Sequence, residues 1–178
     1  ENRATLTVGQ GRFLTFVLGN LINRGTLLLN GGTIDGNGTV VNDFAGQIVA
    51  GGNIYPAVNN SGTLQPSGLL MLNGDLSNVG VISVGSTQGI ILGTSLANTG
   101  VINLSSGSIG GVASSYNNLA GGLIQGGGGI SAAFTNAGGL IYANATAPLV
   151  LSQFSGNTGG GELRIAGGST ANIIPAFS

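Results

Sequence analysis

Nine side chains in this sequence are charged at neutral pH: Glu1, Arg3, Arg12, Arg24, Asp35, Asp43, Asp75, Glu162 and Arg164. His, Lys and Cys do not occur, so the usual proton shuttles, amine nucleophiles and thiolates are missing. Paired carboxylates are the one catalytic arrangement left to test. Asp43 and Asp75 are not separated by a whole number of the repeats described below. Asp35 and Asp75 are separated by about two, which would put them on one face about 10 Å apart, a spacing compatible with an inverting glycosidase pair. No cation or aromatic platform accompanies them in the sequence. They are therefore read as solvated acids, and the chain is expected not to be an enzyme.

Other sites fare no better. The run G-G-T-I-D-G-N-G from Gly31 loosely resembles a calcium-binding nonapeptide, but Ile34 stands where a glycine is needed. One Asp cannot satisfy the ion either, and the run is read as a turn. The glycine runs at 126–129 and 159–161 lack the Lys and Ser/Thr of a phosphate loop, and are read as places where the chain is shortened or kinked. No catalytic residue, metal ligand or cofactor is assigned. Sequons at Asn37, Asn59, Asn103 and Asn144 are near chance in a chain so rich in Asn, Ser and Thr. The Thr residues form no regular rows of the ice-binding kind.

What does recur is an amide. The phrase L-A-N-T-G-V-I-N-L at Leu96 has an apolar residue two places before an Asn, a Gly close after it, and then a short aliphatic run. Variants of it mark Asn23, Asn42, Asn59, Asn78, Asn98, Asn117, Asn136 and Asn157, spaced by about 19 residues. A fixed period of about that length marks a solenoid. At a corner, Asn tolerates left-handed backbone and bonds neighbouring backbone groups. Pointing inward, it would also bond the Asn of the next coil and form a ladder. The eight are read as a structural row.

The elements that must position this row are short strands. Runs such as V-I-S-V at Val81 and L-I-Y at Leu140 are β-branched or aliphatic and bounded by Gly, Ser and Asn. Helix is disfavoured because Gly or another weak helix former interrupts every stretch. Gly makes up 36 of 178 residues, about 20% against a usual share of about 7%, as expected of many tight corners. A β-sandwich would not repeat one corner phrase eight times. The sequence therefore predicts an all-β fold: a single-stranded, right-handed parallel β-helix of about nine coils of about 19 residues, some 45 Å long. Residues 1–20, with strand-like runs at 5–8 and 13–18 and no Asn-Gly phrase, are set apart as an atypical N-terminal coil. Residues 21–178 are read as one continuous solenoid domain.

The units L-S-N-V-G-V-I-S-V, L-A-N-T-G-V-I-N-L and F-T-N-A-G-G-L-I-Y-A-N-A-T-A-P-L-V-L resemble the repeats of bacterial filamentous-haemagglutinin-like proteins and autotransporter passenger domains. The resemblance covers about residues 21–168. It implies a right-handed β-helix on, or released from, a bacterial surface. The secretion signature of the haemagglutinin group and a membrane-barrel segment are both absent from these residues.

Function follows from composition and resemblance together. No acidic or basic residue occurs from 76 through 161, and the net charge is −1, which disfavours nucleic acid and anionic membranes as partners. The longest early apolar run is too short to span a bilayer, so no membrane insertion is expected. The start at Glu1 is read as that of a processed product or an excised piece. The expectation is an extracellular, cell-surface structural or adhesive module, a secreted adhesin or fibre segment that self-associates laterally or end to end. The alternative is a carbohydrate-binding, less readily carbohydrate-cleaving, β-helix with surface glycans as partners. Tyr116 and Tyr142 are out of phase for an aromatic row.

Overall fold

The computed structural model describes residues 1–112 and 115–175. Among these, nineteen strands and no helix form one sheet that winds into a parallel β-solenoid of about eight turns, each of about 20 residues. Every pairing between strands is parallel; a single antiparallel bridge, Leu119 to Gly138, sits at a corner. One coil shows the plan. The strand Leu76–Asn78 leads through a corner to Val81–Val84, then to Gly89–Leu92, and Ser95–Asn98 closes the circuit one level higher.

Alternation along each strand sorts side chains in or out, and stacking turns the inward ones into columns. The longest runs from Leu6 through Leu27, Ile48, Leu64, Ile82, Ile102, Ile124 and Ile141 to Leu163. Its members from Leu27 to Ile141 are at most 1% exposed. A second column changes character: Val40, Val58, Leu76 and Leu96 give way to Tyr116, Phe134 and Phe154. The last two rings lie 5.5 Å apart and tilted by 33°, within the range where aromatic pairs attract.

The coil count agrees with expectation: about eight turns carry the chain through the nine stacked levels from Leu6 to Leu163. Other sequence expectations shift. The run from Gly31 is no turn: residues 31–36 complete the strand Thr26–Gly36, bent at Gly31, where φ is +75°. Val112 falls just past the strand Val101–Gly111 and is 91% exposed. Residues 1–20 also stack in register. Thr5–Gly9 lies on Thr26–Gly36, and so does Phe13–Phe16.

Candidate functional site

Asparagine amides form one unbroken chain along an edge of the solenoid. The Nδ2 of Asn2 donates to Oδ1 of Asn23, and the pattern repeats through Asn42, Asn60, Asn78, Asn98, Asn118 and Asn136 to Asn157. These eight bonds measure 2.7–2.8 Å. The seven from Asn23 to Asn136 are at most 1% exposed. Each amide also donates to main-chain carbonyls: Asn42 to Gly46 and Thr63, Asn60 to Gly62 and Val81. Only a nitrogen can donate to those carbonyls, so every amide dipole is held in the same sense along the axis. Aligned, buried donors and acceptors of this kind reinforce one another.

Two of the expected residues are corrected. Asn59 and Asn117 point outward, and their neighbours Asn60 and Asn118 carry the ladder. The reason is the strand's two-residue alternation. Val58 and Tyr116 face the core, so the residue two places later faces it too. The phrase itself asks for an apolar residue two before the Asn, a condition that Ala57 and Ser115 meet poorly and Val58 and Tyr116 meet well. Asn2, with no phrase around it, supplies the first rung. Positive φ is confined, among described non-glycine residues, to Thr87, Ser106 and Gln153. Hydrogen bonding, then, and not left-handed backbone, explains the recurrent Asn.

The glycine after each Asn has its own cause. A β-carbon built on Gly100 would fall onto the carbonyl oxygen of Gly80, and one on Gly80 onto that of Gly62. At this corner the backbone of one coil presses on the coil below, leaving no space for a side chain.

The acids are dispersed. The Asp35 carboxylate accepts from the Gly36 amide at 2.8 Å, and Asp75 accepts from the Ser95 hydroxyl at 2.7 Å. Asp35 stands in the column of Thr15, whereas Asp75, adjoining Leu76, bonds the coil above. Asp35 and Asp75 thus stand in different columns, and no group of three His, Cys, Asp or Glu gathers among the described residues. Charge collects at the ends instead. Arg24 bridges Glu1 and Asp43, Arg3 joins Glu1, and Arg164 pairs with Glu162. The guanidinium of Arg3 holds the Glu1 carboxyl below its ordinary range, as Arg24 does for Asp43, Ser95 for Asp75 and Arg164 for Glu162. Tyr116 is no exposed platform. It is 1% exposed, its hydroxyl donates to the Gly110 carbonyl at 2.7 Å, and burial pushes its pKa up.

The outer surface holds a groove of about 820 Å³. Gln65, Ser83, Asn103 and Gln125 form its floor, and Asn103 pairs in register with both Ser83 and Gln125. Segments 85–88 and 144–147 contribute to its lining. Sequence reasoning missed this site, since its residues share neither a type nor a phrase. No family model, curated protein or solved structure matches the chain, and what it does is read from this geometry and these residues.

Proposed function

We propose that the chain is a structural or adhesive module of a bacterial extracellular surface protein or fibre, a rigid β-solenoid segment that associates with its own kind. The observation that carries this reading is continuity. The aliphatic column from Leu6 to Leu163 and the amide ladder from Asn2 to Asn157 run the length of the described coils without interruption. Such a body resists bending, because every coil is bonded to the next along the axis. The haemagglutinin-like and autotransporter-like repeat phrases support the surface assignment.

Self-association has two supports. The uncharged stretch at 76–161 lacks the repulsion that keeps proteins apart. Phe44 and Val79, 87% and 59% exposed, adjoin one another beside Val81 and Val101 on a corner, an apolar patch suited to lateral contact. At the C-terminal coil, Leu163, Ile165 and Ile173 occupy core columns, and no strand among the described residues covers them from above. A further coil, from this chain or another, would complete them.

Sedimentation across a concentration series, with electron micrographs of the same samples, tests the reading. Rods that lengthen or bundle as concentration rises are expected. Strict monomers at high concentration, with Phe44→Ser changing nothing, would sink it.

A further inference from the structure

The groove has the chemistry of a binding site, and it lies apart from the Phe44 and Val79 patch and the terminal coil. Its floor lies along the axis, crossing the coils of Gln65, Ser83, Asn103 and Gln125, three steps or about 14 Å. The floor is preset, since Gln125 Nε2 donates to Asn103 Oδ1 at 2.8 Å and fixes both amides. One lining turn is preset as well. Gln88 folds back so that its Oε1 accepts from the Gly85 amide at 2.7 Å, while its main-chain N–H donates to the Gly85 carbonyl at 3.1 Å. Thr87 in that turn and Ser106 beside it hold φ of 65° and 66°. For residues other than glycine such backbone is costly, and it concentrates where a ligand is held. Tyr142 follows Gln125 in the same outward column, on the coil whose residues 144–147 also line the groove.

The lining selects its occupant. None of its residues is charged, so an anionic or cationic ligand would leave water without a counter-ion. An apolar ligand would strip water from Gln65, Asn103 and Gln125 and give no hydrogen bonds in return. A peptide adding as a strand needs an open backbone edge, and the floor strands already pair with coils above and below. Primary amides and hydroxyls that both donate and accept match a dense array of neutral hydroxyl groups. We propose that this groove binds a short, uncharged oligosaccharide laid along the solenoid axis, with Asn103 and Gln125 as its central hydrogen-bonding residues and Tyr142 as a flanking ring.

The test titrates the full chain with neutral di- to tetrasaccharides built from glucose, galactose or mannose, and with sialylated and sulfated counterparts, following side-chain amide signals by NMR. At least one neutral sugar should shift the Asn103 and Gln125 amides, with a Kd of about 1 mM or tighter that added salt leaves unchanged. Asn103→Ala and Gln125→Ala should each weaken that binding about tenfold, while Asn59→Ala, outside the groove, leaves it alone. Unaltered circular dichroism checks that each variant folds; should one not, the shift map of the unmodified chain still decides. The proposal is overturned if no neutral sugar binds at about 10 mM, if the groove variants bind normally, if anionic sugars are preferred, or if uncharged peptides occupy the groove in place of sugars.

Discussion

Two rows of amides run along the axis of this molecule, and they do different things. The row from Asn23 to Asn136 is buried, and each amide is satisfied by the rungs beside it and by main-chain carbonyls. The row that includes Asn103 and Gln125 faces outward, and there one amide–amide bond leaves the remaining hydrogen-bonding capacity to solvent or a ligand. Residue type does not separate a structural amide from a binding one. Burial does, because a buried amide without partners costs about 1–3 kcal/mol for each orphaned group, whereas an exposed one is satisfied by water.

The most damaging way to attack the buried row is through its glycine corner. Gly100→Ala places a methyl group on the Gly80 carbonyl, and a loss of about 4 kcal/mol or more is expected in chemical denaturation, or no folded protein at all. Next comes the ladder. Asn60→Ala leaves the buried Asn78 Oδ1 without its donor and takes one of three acceptors from the Asn42 amide, for a loss of about 1–3 kcal/mol. Asn59→Ala, one residue away but outward, should stay within about 0.5 kcal/mol. Equal losses from the two substitutions would erase the distinction between the rows.

Alkali should act through the core. Burial raises the Tyr116 pKa above its ordinary 10.0, so its contribution is complete below about pH 10 and declines as pH climbs toward the folded value. A melting temperature that falls above about pH 10, with the fall removed in Tyr116→Phe, is the expected record. Acid should do less. Lowered pKa values for Glu1, Asp43, Asp75 and Glu162 stabilise the fold above the ordinary carboxylate range, and that part is lost as pH drops through the lowered values. These carboxylates are exposed, so the decline is slight. Between about pH 5 and 9 the melting temperature should be level, since no His, Lys or Cys titrates. The smallest effect belongs to the outward row. Gln125→Ala should leave stability within about 0.5 kcal/mol and reveal itself only in sugar binding.

How far the ladder was legible depended on period. The recurrence near every nineteenth residue placed Asn23, Asn42, Asn78, Asn98, Asn136 and Asn157 on one edge because stacked coils superimpose equivalent corners. Adjacent pairs such as Asn59 and Asn60 both fit the period, and the choice between them falls to strand alternation, read from Val58. Asn2 lay beyond reach of the repeat, since it has no phrase to announce it.

By itself, then, the sequence determined the parallel solenoid, its approximate period and the chemistry of its interior. Those properties come from local residue type and regular spacing, and they propagate from each coil to the next. The exact rungs, the separation of Asp35 from Asp75 and the groove between segments 85–88 and 144–147 were decided only by tertiary structure. Each depends on how many residues a corner absorbs, and a change of one residue turns an inward side chain outward.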